Sequence, residues 1–127
     1  MLEHAFSAVT SPPLQRVRNF FETARREYER QGYLGCLLGG LGQEMSGASE
    51  VFRKKIDGCL TGIGETIARC LEEARCRGDL PSTCDPRLLA ETIVNAWEGA
   101  ALRSRLRRAG NPFDTVLDFC FAAARAQ

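Results

Sequence analysis

The stretch GCLLGGLGQEM, residues 35–45, places Cys36 directly after a glycine at the start of a short apolar segment. Its spacing predicts a short helix over residues 36–45, weakened by its glycines because each costs about 1 kcal/mol relative to alanine in a helix interior. Backbone N–H groups at a helix start favour negative charge, so a thiolate there is stabilised and becomes reactive. Cys36 is therefore a candidate for redox or electrophile chemistry, the alternative being a small buried apolar residue.

Helical periodicity extends on both sides of this stretch, and no segment has a convincing strand pattern. Stripes of apolar residues predict amphipathic helices over residues 12–31, 49–77, 86–108 and 112–126, and Met1–Val9 is typical of the tail of a helix begun elsewhere. The fold class is therefore predicted to be all-α, with five or six helices in one domain that spans residues 1–127.

The ends of these helices carry recognisable signals. Ser11-Pro12, Asp85-Pro86 and Asn111-Pro112 each set a capping side chain before a proline, the pairing typical of a helix start. Gly32 and Gly78 stand where a glycine commonly ends a helix. Because the connections between these helices are short, neighbouring helices are expected to pack antiparallel.

Composition narrows the class of protein. The 127 residues carry a net charge of +1, with 44% apolar and 26% charged residues, which is ordinary for a soluble globular domain. A net charge this close to zero does not indicate a protein surface that binds nucleic acid. No apolar run approaches the roughly 20 residues that span a bilayer, and Met1–Val9 lacks the features of a signal peptide. We therefore expect a cytoplasmic protein without a membrane partner.

Six cysteines stand at positions 36, 59, 70, 76, 84 and 120. Reduced thiols are favoured over a disulfide framework, since the chain is large enough to build an apolar core and carries no secretion signal. No two cysteines have the spacing of a zinc site, and His4 is the single histidine, so no metal and no cofactor are expected.

The last two predicted helices offer broad apolar faces with small residues among them, which favours a four-helix arrangement across a two-fold axis. The residues assigned to that interface are Trp97, Ala100, Ala101, Val116, Cys120 and Ala123. The alternative is that both faces pack inside their own subunit.

Three glycines, Gly58, Gly62 and Gly64, fall inside the predicted helix 49–77. Each is costly there, so a compensating reason is expected. Close approach of a neighbouring helix or a bend is favoured over room for a ligand.

Several short motifs, in this order, resemble one known family: Gly35-Cys36-Leu37-Leu38, Ser49-Glu50 with Phe52-Arg53, Gly78-Asp79-Leu80, Asp85-Pro86 with Leu89-Ala90, and Trp97-Glu98-Gly99-Ala100. From about residue 14 to 124 the chain is similar to the C-terminal ligand-binding domain of TetR-like transcriptional regulators.

The resemblance implies a homodimer built through the last two helices and a pocket for a small-molecule effector enclosed by the middle helices. It places Cys36, Phe52 and Trp97 at or near that pocket. The implied effector is a small apolar or electrophilic molecule, with Cys36 as the residue that senses it when it is reactive.

TetR-like regulators begin with a helix-turn-helix domain, and nothing in this sequence is typical of a recognition helix. The expectation is that DNA is bound only through such a domain, which this sequence lacks, and that this chain is a truncated product or a free-standing sensing domain. The alternative functions are a stand-alone dimerisation module that pairs with full-length regulators, and a helical carrier. An enzyme is not expected, because no catalytic motif is present.

Overall fold

The computed structural model describes residues 11–33, 40, 47 and 49–126, which include four α-helices. These are α1 (Pro13–Arg30), α2 (Glu50–Cys76), α3 (Pro86–Arg107) and α4 (Asn111–Ala126). The all-α class is confirmed. The predicted count of five or six helices is too high for the described residues, because the two further segments, 1–9 and 36–45, lie outside them apart from Gly40.

Asp85 is the N-cap residue of α3 as predicted, whereas α4 begins at Asn111 itself, one residue before the predicted start at Pro112. Ser49 Oγ accepts a hydrogen bond from Phe52 N at 3.1 Å, and Asp85 Oδ1 accepts two, from Arg87 N at 3.1 Å and Leu88 N at 3.2 Å. Gly78, with φ +83°, follows α2 in the left-handed conformation that favours glycine.

The start of α1 corrects the prediction, because Pro12 and not Ser11 is its N-cap residue and makes no side-chain cap hydrogen bond. Pro13 forces the residue before it into an extended conformation, and Pro12 accordingly has ψ 152°. The helix therefore begins one residue later than the serine signal indicated.

The core lies where the four helices meet. Apolar residues at helical spacing face one another: Val17 and Phe21 from α1, Ile67, Leu71 and Ala74 from α2, Ala90, Ile93 and Trp97 from α3, and Phe113, Leu117 and Phe121 from α4. Ion pairs tie α1 to its neighbours, with Arg16 to Glu73 at 2.8 Å, Arg18 to Asp118 at 3.1 Å and Arg25 to Asp114 at 3.0 Å. These contacts fix α1 against both α2 and α4.

The two halves of α2 differ in burial. Ile56 is buried in the first half, whereas Ile67, Cys70, Leu71 and Ala74 are buried toward the end. Cys59 and Cys70 are eleven residues apart and so share one face of α2, yet Cys59 is exposed and Cys70 is buried, because the described helices cover mainly the second half. In the described part of the chain, no helix has both the length and the apolarity to cross a membrane.

Candidate functional site

Trp97 lies at the centre of a cluster of aromatic rings. Its ring centroid is 4.6 Å from that of Phe21 and 4.4 Å from that of Phe113, and Tyr28 stacks on Phe113 at 5.3 Å. Only 4% of Trp97 is exposed. Three helices therefore meet on this side chain, which gives Trp97 a packing role in the core.

Phe52, which was also predicted at the effector pocket, does not pack around Trp97. Phe52 lies in the first turn of α2, half-buried, and is not part of the core cluster that contains Trp97. Cys36 lies outside the described residues. The pocket assignment of Cys36, Phe52 and Trp97 stays a prediction.

An open groove of about 370 Å³ runs between α2 and α3. Its apolar lining includes Leu60, Ala68 and Val94. Its charged lining consists of Asp57, Glu65, Glu91, Glu98 and Arg87. The volume is within the range of small-molecule sites, but such sites are predominantly apolar. With four carboxylates against one guanidinium, this groove differs from the apolar pocket that the resemblance implies.

The thiols of the described residues fall into two groups. Cys59 and Cys76 are exposed, whereas Cys70, Cys84 and Cys120 are buried. Burial raises the pKa of each of the three buried thiols, so they are held in the protonated, unreactive form. Within the described residues, no group of histidine, cysteine or carboxylate side chains could hold a metal ion.

Four of the six predicted interface residues are buried inside the single chain: Trp97, Ala100, Ala101 and Cys120. The apolar stripes of α3 and α4 that contain these residues pack against the other helices of the same chain, so the four side chains belong to its core. Residues already removed from water have little area left for a partner. Val116 and Ala123 are half-buried and border the solvent-facing side of α4.

A second stripe, which the sequence reasoning missed, faces solvent on the same two helices. On α3 it runs through Leu88, Thr92, Asn95, Gly99, Leu102 and Leu106, at alternating spacings of four and three residues. Leu106 is 71% exposed, and Phe119 on α4, which lies between Val116 and Ala123 on the helix surface, is 72% exposed. The alternating spacing was visible in the sequence as the signal of a helix-packing seam.

The glycines of α2 correct another expectation. A Cβ added at Gly58 or Gly62 would have no neighbour within 4 Å, and at Gly64 it would lie 3.8 Å from Val94 Cγ2, an ordinary contact. The described residues therefore show no close approach that requires glycine at these positions. Gly64 is part of the lining of the groove between α2 and α3.

Comparison with known proteins gives one consistent result. Residues 13–120 match the family described as "Tetracyclin repressor-like, C-terminal domain". The chain is 37% identical over 113 residues to the transcriptional regulator AcuR of Cereibacter sphaeroides, covering 88% of this chain and 52% of that protein. It is 30% identical over 112 residues to the transcriptional repressor DhaR of a Mycobacterium species, strain GP1, covering 88% of this chain and 55% of that protein.

A solved structure agrees with these relatives. The crystal structure of a regulatory protein TetR from Rhodobacter sphaeroides has a TM-score of 0.87 and 35% sequence identity, covering 94% of this chain and 64% of that one. The chain spans about half the length of the curated relatives it matches.

Proposed function

Because this chain belongs to the tetracycline-repressor-like C-terminal domain family, we propose that it is the effector-sensing and dimerisation part of a TetR-like transcriptional regulator. A small apolar or electrophilic molecule would favour one of two packings of the helices. In a regulator that carries a helix-turn-helix domain, that change would alter the spacing of the paired DNA-binding domains and release the operator. The cytoplasm is the compartment in which such a regulator would act.

The observation that carries the dimerisation part of the proposal is the solvent-facing stripe on α3 and α4. Leu102 and Leu106 are 45% and 71% exposed, and Phe119 is 72% exposed on the adjoining helix. Exposed large apolar side chains that share a helix face, as Leu102 and Leu106 do, favour an interaction site, and two helices with a seam at this spacing pack against two more in a four-helix bundle. Val116 and Ala123 border the seam and retain the interface role predicted for them.

Sedimentation velocity on the full chain tests this proposal. The unaltered chain is expected to sediment as a dimer, whereas Leu106→Glu or Phe119→Glu introduces two buried charges per dimer and should weaken association roughly thirtyfold or more. Val51→Glu is the matched control, because Val51 is 66% exposed but lies at the start of α2, outside the stripe. A monomeric unaltered chain would contradict the proposed dimer.

The sensing part of the proposal places a reactive thiol at Cys36. Limiting N-ethylmaleimide, followed by intact mass and peptide mapping, measures it directly. The exposed Cys59 and Cys76 serve as internal references for accessible thiols, and the buried Cys70 and Cys84 as protected ones. Faster modification of Cys36 than of either exposed reference supports the sensor role, and modification at the same rate as the references or slower contradicts it. The Cys36→Ser variant checks the mapping.

The alternative function, a dimerisation module that pairs with a full-length regulator, uses the same exposed stripe. Mixing the chain with a full-length relative and measuring the mass of the complex separates the two. A mixed dimer with one DNA-binding domain favours the module, and recovery of homodimers alone favours the sensing domain.

A further inference from the structure

We propose that Cys76 and Cys84 form a reversible disulfide bond when the protein meets a hydroperoxide. The two thiols lie where α2 ends and α3 begins. Cys76 reacts first with the oxidant, and Cys84 then closes the bond. This site is separate from Cys36, so the inference goes beyond the proposed function and does not depend on it.

The two cysteines share one charged pair of side chains. The Cys76 thiol donates a hydrogen bond to Glu72 Oε1 at 3.7 Å, and Arg75 Nη2 donates to the same oxygen at 2.6 Å. Arg75 Nη1 donates to the Cys84 carbonyl oxygen at 3.4 Å. A single guanidinium–carboxylate pair therefore connects the Cys76 thiol to the backbone of Cys84.

The charges on the two sulfur atoms also act on this pair. The pKa of Arg75 is raised, first by its hydrogen bond to Glu72 and, after the charge of Glu72, by the charges that Cys76 and Cys84 carry when ionised. Interactions between exposed charges are largely screened beyond roughly 8–10 Å. Both sulfur atoms therefore lie near the Arg75 guanidinium.

The helix geometry brings Cys76 toward the start of α3. Glu72 and Cys76 are four residues apart and share one face of α2. Glu72 lines an open groove together with Asp85 and Pro86, the N-cap and the first residue of α3. Cys76 lies one turn beyond Glu72 on this face, and Cys84 immediately precedes Asp85. The two cysteines therefore flank the short connection between the helices.

The two thiols differ in their access to solvent. Cys76 is exposed, whereas only 1% of Cys84 is exposed and burial raises the pKa of its thiol. An oxidant in solution therefore meets Cys76 first. Cys59, the other exposed thiol of the described residues, lies seventeen residues earlier in α2, or about 26 Å at the helical rise. That distance is too long for Cys59 to share Glu72 and Arg75.

The reaction proceeds in two steps. The Cys76 thiol passes its proton to Glu72 and attacks the hydroperoxide. A sulfur–oxygen bond forms, the oxygen–oxygen bond breaks, and the leaving oxygen takes the proton from Glu72 and departs as an alcohol or water. The Cys84 sulfur then attacks the sulfenic acid of Cys76, and the sulfenic hydroxyl leaves as water with the proton of Cys84. The two thiols together lose two electrons, which the hydroperoxide accepts.

Bond formation requires Cys84 to leave the core. Cys84 lies in a turn that its own N–H closes by a hydrogen bond to Pro81 O at 3.0 Å, and Ser82 and Thr83 in this turn are exposed. The rearrangement is therefore local to the connection between the helices. Because a disulfide formed at the expense of core burial is less stable, a dithiol reduces it readily. Oxidation thus acts reversibly at the junction of the two helices that line the groove.

Peroxide oxidation followed by peptide mapping tests the disulfide. The reduced chain is treated with limiting hydrogen peroxide, its remaining thiols are blocked with N-ethylmaleimide under denaturing conditions, and trypsin is added. Trypsin cuts after Arg75, Arg77 and Arg87, so Cys76 and Cys84 fall in separate peptides that only a disulfide can join. We expect the intact oxidised chain to have the mass of a monomer and these two peptides to be recovered joined. Dithiothreitol should separate them.

Three variants identify the thiols involved. Cys76→Ser should lose the link and leave Cys84 reduced. Cys59→Ser is the matched control, because it also removes an exposed thiol of α2, and it should retain the link. Cys36→Ser should form the link to the same extent as the unaltered chain, so a failure of the proposed Cys36 sensor would leave this result unchanged.

Two kinds of result would overturn the proposal. The first is Cys84 recovered entirely with its maleimide at every peroxide concentration, including those at which Cys76 is oxidised to the sulfinic acid. The second is a different bond, either a covalent dimer through Cys76 or a link from Cys76 to another cysteine of the same chain.

Discussion

At the scale of single residues, Trp97 shows how a side chain predicted at an interface can belong to the core. Its ring is in contact range of rings from α1 and α4 and is almost completely buried in the single chain. The apolar residues near Trp97 in the sequence predict correctly which face of α3 is covered. They do not show whether the same chain or a second copy covers that face. Periodicity identifies an apolar stripe, and it does not distinguish packing within a chain from packing between chains.

The first prediction follows from that burial. Trp97→Ala removes the centre of the aromatic cluster and should lower the free energy of unfolding by about 3–5 kcal/mol, because the cavity cannot be refilled by three separate helices. Urea denaturation followed by circular dichroism measures it. Phe52→Ala is the comparison. Phe52 is half-buried and lies outside the core cluster, so its replacement should lower the free energy of unfolding by less. An equal loss in both variants would contradict the central role of Trp97.

A second prediction concerns pH. Burial raises the pKa of Cys70, Cys84 and Cys120, so above about pH 9 these thiols ionise first in the unfolded chain. The unfolded state then binds fewer protons than the folded state, and the free energy of unfolding should fall as pH rises from 8 to 10. Urea denaturation across this range measures the slope.

The control for this pH dependence is Cys84→Ala, which removes one buried thiol. Its free energy of unfolding should fall less steeply between pH 8 and 10 than that of the unaltered chain, whatever its stability at pH 7. Equal slopes for the two chains would show that the loss arises from other groups.

A third prediction concerns Gly58. A Cβ atom added at this position would have no atom of the described residues within 4 Å. Gly58→Ala should raise the free energy of unfolding by about 1 kcal/mol, because alanine restricts the unfolded chain and favours the helix. Gly78→Ala is the contrasting control and should be destabilising, since Gly78 has φ +83°. A destabilised Gly58→Ala variant would mean that something packs closely against this position.

At the scale of helices, the boundaries that a side chain determines were predicted best. Asp85 caps α3 as expected, and Ser49 caps α2 in the same way, because a capping oxygen beside free N–H groups is a purely local interaction. The start of α1 was predicted one residue early, since the sequence signal of Ser11 competes with the conformation that Pro13 imposes on Pro12.

The Asp85 cap gives the fourth prediction. Asp85→Ala leaves Arg87 N and Leu88 N without their acceptor and should lower the free energy of unfolding by about 1 kcal/mol. Asp85→Asn and Asp85→Ser keep a capping oxygen and should retain most of the stability. Thermal and urea unfolding of the three variants check the ranking, and an Asn variant as unstable as the Ala variant would contradict it.

The outward stripe on α3 is present in the sequence, but the same helix also carries an inner stripe that is more strongly apolar and makes the outward one hard to recognise. The inner one has the larger and more numerous apolar residues, including Ile93 and Trp97, and it dominates any reading of amphipathicity. The outer one includes Thr92, Asn95 and Gly99, which weaken its apolar signal. Three-dimensional packing was needed to show which stripe the chain itself covers.

At the scale of the whole molecule, the fold class and the four described helices followed from sequence, whereas the effector pocket did not. A pocket depends on how several helices are offset from one another, and the groove between α2 and α3 is lined by charges from both that no single helix pattern brings together. Asp57 and Arg87, which both line the groove, are thirty residues apart in the chain.

The fifth prediction concerns the assembled molecule. If association stabilises the folded chain, its melting temperature should rise with protein concentration. A second copy binds only the folded state, so a higher concentration favours folding by mass action. Differential scanning calorimetry over a hundredfold range of concentration measures it. The Leu106→Glu variant should melt at a temperature independent of concentration, and a concentration-independent melt of the unaltered chain would contradict coupling between folding and association.

The ion pairs between α1 and α4 have a consequence for how the chain is made. Arg18 and Asp118 are separated by 100 residues, and Arg25 and Asp114 by 89, so the first helix leaves the ribosome long before its partner exists. Until α4 has been synthesised, Phe113 is missing from the ring cluster, and Phe21 and Trp97 remain uncovered. Between the synthesis of α1 and that of α4 the nascent chain therefore has an open apolar surface, a condition that favours aggregation.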